Sequence, residues 1–205
     1  MPARRRYPVG AEPTLDGTSF RVWAPKRRNV YVVLEDGEHS LEREPGGHFS
    51  GLVTTARPGA RYRFRLDDDA PPYADPASRC QPEGPHGPSQ VVDPDAYSWS
   101  DRGWKGIGLK GQVLYELHVG TFTPEGSWAA AVGKLPFLKD IGVTAIEMMP
   151  VNGFPGRFGW GYDGVNLFAP THLYGTPDDL RRFIDAAHGL GLGVTLDVVY
   201  NHIGP

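Results

Sequence analysis

Val143-Thr144-Ala145-Ile146-Glu147-Met148-Met149-Pro150 decides the fold. Its seven leading residues are apolar or β-branched apart from one acid, and a proline stops them, the pattern of a buried strand. On its N-terminal side, residues 128–141 place Val132, Leu135, Leu138 and Ile141 three apart, one face of a helix packed on a sheet. Pro136 inside that run lacks a backbone donor and predicts a kink or a late helix start. Further back, Val113-Leu114-Tyr115-Glu116-Leu117-His118-Val119 reads as a largely buried strand. On the other side, Thr176-Pro177-Asp178-Asp179 opens a second helix, with Thr176 as N-cap, proline in the first turn and acids at the positive end of the dipole. Leu180, Phe183, Ile184 and Ala187 form its apolar face, and Gly189 and Gly191 surround its end. Gly193-Val194-Thr195-Leu196-Asp197-Val198-Val199 is a third strand. Strand, helix, strand, helix, strand is a βαβαβ unit with parallel strands. Two architectures use it, a doubly wound open sheet and a (β/α)8 barrel. A glycine-rich phosphate loop after the first strand would favour a nucleotide fold, and Gly120-Thr121-Phe122-Thr123-Pro124-Glu125-Gly126 lacks that spacing.

Upstream, the chain changes character. Residues 7–94 hold short strand-like runs between turn residues. Thr18-Ser19-Phe20-Arg21-Val22-Trp23-Ala24 alternates, with Phe20, Val22 and Ala24 on one face. Residues 29–34 are dense in β-branched and aromatic types, and 48–53 and 61–66 follow. In the last, Tyr62, Phe64 and Leu66 face one way and Arg61, Arg63 and Arg65 the other, the period of a half-buried antiparallel strand. Asp36-Gly37 and Gly46-Gly47 supply turns. Several strands at this spacing suggest a small β-sandwich. Asp67-Asp68-Asp69 lacks the alternate spacing of a calcium loop and reads as a solvated turn. Residues 71–94 are proline-rich and read as an extended strap.

Composition bounds the function classes. Of 205 residues, 40% are hydrophobic and 22% charged, an ordinary globular balance. A net charge of −3 makes no electrostatic case for nucleic acid or an anionic membrane as partner. No apolar run reaches the length of a membrane span, and no apolar region follows Ala3-Arg4-Arg5-Arg6 to make a signal peptide. The single cysteine, Cys80, excludes an intrachain disulfide, which points to the cytoplasm.

Two places carry candidate chemistry. Residues 151–175 form a link past the length at which loops are usually functional. The link holds Phe154, Phe158, Trp160, Tyr162, Phe168 and Tyr174, and it leaves the C-terminal end of a strand, where parallel folds place their sites. Aromatic faces suit the apolar C–H faces of pyranose rings, while Asp, His, Asn or Arg take the hydroxyls. The same aromatics could equally be the small core of the link itself. At the end of the third strand, Asp197-Val198-Val199-Tyr200-Asn201-His202 brings out three polar groups. Asp197 follows an apolar run, so its carboxylate needs a partner. A neutral His202 can donate to a sugar hydroxyl.

These residues resemble the α-amylase family of glycoside hydrolases. Residues 197–202 look like its first signature block, and Gly159-Trp160-Gly161-Tyr162-Asp163 like its aromatic subsite segment. Tyr115-Glu116-Leu117-His118-Val119-Gly120-Thr121-Phe122 resembles the first barrel strand of its branching-enzyme and trehalohydrolase branch. His86-Gly87-Pro88-Ser89-Gln90-Val91-Val92-Asp93-Pro94 and Pro155-Gly156-Arg157-Phe158 resemble the malto-oligosyltrehalose trehalohydrolase branch. The resemblance implies a multidomain β plus α/β chain. An immunoglobulin-like starch-enzyme β-sandwich (1–94) and a linker (95–112) precede the first three strands of a (β/α)8 TIM barrel (113–205). The implied reaction hydrolyses the α-1,4 bond that releases trehalose from maltooligosyl trehalose, with that sugar or another α-glucan as partner. Tyr162 would stack on the sugar at the cleaved bond, and His202 would bond its hydroxyls. Trp160 and Asp163 would be substrate neighbours, and Asp197 and Asn201 would support the site. No cofactor is implied; Asn201 ligates calcium in many amylases, but the trehalohydrolase branch is not known for needing a metal.

A retaining glycosidase needs two carboxyl groups about 5–5.5 Å apart. In the family these come from the fourth and fifth strands, so no residue here is expected to be the nucleophile or acid, and a fragment inactive alone is expected. Glu116 and Glu147 read as structural. The expected third strand, 194–199, would form an open apolar edge. Two other readings are a branching enzyme, which transfers instead of hydrolysing, and a non-catalytic glucan-binding module.

Overall fold

The computed structural model describes residues 5–201, 203 and 204. It divides into two compact units, one of residues up to 94 together with 166–169, the other of 95–165 and 170 onward.

The first unit contains β1 (Gly10–Thr14), β2 (Gly17–Trp23), β3 (Val30–Leu34), β4 (Gly37–Ser40), β5 (Glu42–Arg43), β6 (His48–Val53), β7 (Arg61–Leu66) and β8 (Ser89–Gln90). They form two four-stranded antiparallel sheets, ordered β1-β2-β6-β5 and β4-β3-β7-β8. Both sheets contribute to one core, with Phe20, Val22 and Phe49 from the first and Val30, Val32, Tyr62 and Phe64 from the second. The period of two in β7 places its arginines on the other face, where Arg65 Nε donates to Glu38 Oε1 at 2.7 Å. The acidic run is a turn with Asp67 at φ 52°. The Asp67 carboxylate accepts the backbone N–H groups of Arg28 and Asn29 at 2.9 and 2.8 Å. The strap carries β8 and the buried Asp75, which accepts the Tyr62 hydroxyl at 2.6 Å.

Arg21 Nε lies 3.1 and 3.0 Å from the two carboxylate oxygens of Glu44, and Arg21 Nη2 is 2.7 Å from one of them. That fork, helped by Ser50, lowers the Glu44 carboxyl from 4.5 to about 2. A lowered acid stabilises the fold above its unfolded value, and the contribution is lost as pH falls from 4.5 through about 2. The pair is partly solvated, so its expected worth is about 0.5–1 kcal/mol. Glu44→Gln should lower the melting temperature at pH 7 and leave it unchanged near pH 2. An equal loss at both values would contradict the assignment.

The second unit contains β9 (Leu114–Leu117), α1 (Val119–Phe122), α2 (Trp128–Val132), α3 (Leu135–Asp140), β10 (Ala145–Met148), α4 (Pro177–Gly189) and β13 (Gly193–Leu196). The short strands β11 (Asn152–Gly153) and β12 (Asn166–Pro170) lie in the long link. β9, β10 and β13 form a parallel sheet with β10 in the middle. Its core joins Leu117, Ile146 and Met148 to Trp128, Leu135, Leu138 and Phe183 of the helices.

Local chemistry sets the helix ends. Thr176 and Asp179 form a reciprocal cap on α4, with Asp179 N–H to Thr176 Oγ1 at 3.2 Å and Thr176 N–H to Asp179 Oδ2 at 2.9 Å. At its other end Gly191 turns with φ +72° and Leu192 N–H bonds back to the Ala187 carbonyl at 2.9 Å. The helical face at 128–141 is split into two helices, and the late start expected at Pro136 is the start of α3 at Leu135. Ser127 caps α2, and Pro136 sits in the first turn of α3, where its missing N–H costs nothing.

Two expectations need correction. The first strand is not largely buried, because β9 lies at one side of the three strands. Within β9 Leu117 alone reaches the core, joined by Val119 of α1, while Val113, Leu114 and Tyr115 stay exposed. On the other side β13 stops at Leu196, earlier than expected, and leaves Leu196 and Val198 at the surface. Within the stretch 95–112, residues 100–104 are bonded along α4. Ser100 donates to Asp185 from its backbone and side chain, both at 3.0 Å, and Asp101 Oδ2 is 2.7 Å from His188 Nδ1. The Trp104 ring stacks on His188 at 4.3 Å. Single polar anchors of this kind carry no periodic signal. Among the described residues, no helix is long and apolar enough to cross a membrane.

Candidate functional site

The parallel register aligns the strand ends. Glu147 lies opposite Glu116 on one side and Thr195 on the other, and Met148 lies opposite Leu117 and Leu196. One step on, Asp197 N–H bonds the Met148 carbonyl at 2.9 Å and Met149 N–H bonds the Leu117 carbonyl at 3.0 Å. His118 and Asp197 therefore emerge at the same C-terminal rim of the sheet.

Tyr162 reaches that rim from the link. Its hydroxyl donates to Asp197 Oδ2 at 3.1 Å, so the carboxylate has the partner its position demanded. The bond to Asp197 pushes the phenol up, and partial desolvation and the charges of Asp197, Glu116 and Glu147 add to it. With its proton committed to Asp197, the phenol oxygen is left with lone pairs to accept from another hydroxyl. The residue remains 41% exposed, which leaves a ring face to offer.

Glycines make this placement possible. Gly161 has φ +88°, and a Cβ there would stand 1.9 Å from the Pro150 carbonyl oxygen. A Cβ on Gly159 would stand 2.8 Å from the Phe154 ring. The turn that carries Trp160 and Tyr162 thus lies directly against the end of β10 and the buried Phe154. A histidine holds it from the other strand. Since a carbonyl only accepts, His118 Nε2–H donates to the Gly159 carbonyl at 2.9 Å, and the Tyr174 hydroxyl lies 3.0 Å from the same nitrogen. Burial raises the Tyr174 phenol to about 12.

The link aromatics divide between the two readings left open by composition. Phe154 and Tyr174 are buried in the core, whereas Phe158, Trp160, Tyr162 and Phe168 are exposed. Asp163 and Asn201 are exposed as well. The structure brings together Tyr162 and Asp197, with Trp160 beside them on the turn. His202 lies outside the described residues. Sequence reasoning gave no role to His118, although a polar residue directly after a parallel strand is the position where such folds gather their sites.

The family profile of the alpha amylase catalytic domain matches residues 90–205, and that of carbohydrate-binding module 48, the isoamylase N-terminal domain, matches residues 8–94. The malto-oligosyltrehalose trehalohydrolase of Deinococcus radiodurans is 50% identical over 202 residues, which cover 98% of this chain and 33% of that one. The enzyme of the same name from Saccharolobus solfataricus is 47% identical over 93% of this chain and 34% of its own. The crystal structure of a candidate alpha amylase from Salmonella typhimurium superposes with a TM-score of 0.93 at 49% identity, over 97% of this chain and 34% of that one. This chain spans about a third of the length of the relatives it matches. The alpha amylase profile takes in more than half of the residues, so the chain belongs to the alpha-amylase family.

Proposed function

We propose that the chain forms the N-terminal third of a cytoplasmic malto-oligosyltrehalose trehalohydrolase, which hydrolyses the α-1,4 bond releasing trehalose from maltooligosyl trehalose. In this reading residues 1–94 are an immunoglobulin-like domain, 95–112 a connector, and 113–205 the first three strands of a (β/α)8 barrel. The observation that carries it is the Tyr162 hydroxyl bonded to Asp197 above the joined ends of parallel strands. Identity of 50% and 47% to relatives of that name supports the substrate.

Tyr162 presents its ring face to the glucose at the cleaved bond, and its phenol oxygen accepts one of that sugar's hydroxyls. Asp197 fixes the phenol's direction and is a positioning residue. Trp160 and Asp163 contact neighbouring parts of the sugar chain, Asn201 supports the strand end, and His202 donates to the same glucose. The nucleophile and general acid belong to barrel strands that these 205 residues do not include, so no residue of this chain is assigned either role, and no cofactor, nucleic acid or membrane enters.

The test is product analysis. The 205-residue chain should give no hydrolysis above background. The chain continued through the rest of such a barrel should release trehalose from maltooligosyl trehalose. Glucose or maltose as the only products, or new α-1,6 branches, would refute the assignment; turnover by residues 1–205 alone would refute the placement of the carboxyl pair.

A further inference from the structure

Beside the Tyr162 site, on the side of β9, lies a recess of about 570 Å³ that Tyr162 does not line. Trp160, Phe158 and Arg157 wall it from the turn, and Thr121 and Glu125 from the segment after β9. Its floor is the buried pair Phe154 and Tyr174. We propose that this recess is a second saccharide site, which takes one or two pyranose rings of an α-glucan independently of Tyr162. The proposal rests on the α-glucan reading above.

The volume falls within the range of small-molecule sites. The walls have two chemistries at once. Trp160 and Phe158 are 69% and 86% exposed, so their faces are available to the C–H face of a sugar. Arg157 supplies donors, Glu125 supplies acceptors, and Thr121 supplies a hydroxyl. Among the described residues, neither a hydrogen bond nor an ion pair engages Arg157, whose guanidinium lies 5.4 Å from the Phe158 ring centre. An inorganic anion would meet Glu125 as well as Arg157. A purely apolar ligand would strip water from both charges without replacing it. A neutral ring with a hydroxyl rim satisfies all three kinds of group.

The site is also built before a ligand arrives. His118 holds the Gly159 carbonyl on one wall, stands 3.0 Å from the Tyr174 hydroxyl at the floor, and has Thr121 Oγ1 3.2 Å from its Nδ1. The Trp160 ring centre lies 5.8 Å from that of His118. A preorganised wall avoids the ordering cost that weakens binding by loose loops.

Calorimetric titration of the 205-residue chain with maltotriose tests the proposal. We expect saturable binding that weakens at least tenfold in Trp160→Ala and in Arg157→Ala and persists in Tyr162→Ala. Both recess residues are exposed, so unchanged melting curves should accompany the loss. Absence of saturable binding, or binding untouched by Trp160→Ala and Arg157→Ala, overturns it. If Tyr162→Ala alone abolishes binding, the recess falls and the strand-end site stands. If recess binding persists but the extended chain releases no trehalose, the proposed reaction falls and the recess stands.

Discussion

Gly161→Ala is expected to destabilise the second unit by about 2–5 kcal/mol and to detach Tyr162 from Asp197, whereas Gly156→Ala, five residues earlier in the same link, is expected to cost only about 1–2 kcal/mol. Both glycines adopt left-handed backbone, with φ +88° and +82°. Both variants therefore carry the strain of an L-residue in that region. They differ in what the added methyl meets. At Gly156 nothing lies within 4 Å, while at Gly161 the Pro150 carbonyl oxygen stands 1.9 Å away and its carbon 2.6 Å. Those are backbone atoms two residues past the end of β10, which no rotamer change moves aside, so the turn itself must lift. Lifting it breaks the 3.1 Å bond from Tyr162 to Asp197. Thermal unfolding gives the difference in stability, and amide exchange at the turn gives the local effect. Equal losses in the two variants would show that the close approach of turn to strand is not what holds Tyr162.

The sequence made the parallel strands legible because each is a short apolar run closed by a turn or a proline, and because Thr176 and Asp179 mark a helix start by chemistry alone. The antiparallel strands of the first unit were legible for a different reason. Tyr62, Phe64 and Leu66 against Arg61, Arg63 and Arg65 is a period-two pattern that only a half-buried strand uses. What stayed hidden depends on tertiary position. Val113 and Leu114 have the composition of buried residues, and composition does not say which strand of a sheet lies outermost. Ser100, Asp101 and Asp185 have no periodicity, so their bonds to one another could not be read from spacing.

The candidate site was legible in its parts and not in its assembly. Tyr162 and Asp197 are 35 residues apart, and neither suggests the other as hydrogen-bond partner. Each was singled out for what surrounds it, an aromatic glycine-rich segment in one case and a strand end in the other. The residue that joins the pieces, His118, stands alone after its strand. Its importance comes from bonds to Gly159 and Tyr174, 41 and 56 residues away. Steric demand supplies the rest. Glycine at 159 and 161 reads as flexibility in a sequence, but here it permits close packing that makes the turn rigid.

Trp128→Ala should destabilise the second unit by about 3–5 kcal/mol, the usual range for emptying a buried aromatic site, while Trp160→Ala should change stability by less than about 0.5 kcal/mol. Trp128 has no exposed surface, and Trp160 is 69% exposed. The Trp128 ring packs against Phe183 of α4 at 5.4 Å and edge-on to Tyr174 at 6.2 Å, so it ties α2 to α4 and to the end of the link. The indole N–H of Trp128 is buried without a hydrogen-bond partner among the described residues. Its contribution is therefore apolar contact, offset by the cost of an unsatisfied donor. Trp128→Phe removes that donor along with part of the volume, and should cost roughly half as much as Trp128→Ala. The loss should also reach the recess, because Tyr174 leans on Trp128 and lies beside His118 in the recess wall. Urea unfolding of the three variants gives the order, and maltotriose titration of Trp128→Phe gives the functional consequence as a weaker but measurable affinity. If Trp128→Ala costs no more than Trp160→Ala, the helix layer does not depend on this side chain, and the packing account of the second unit fails.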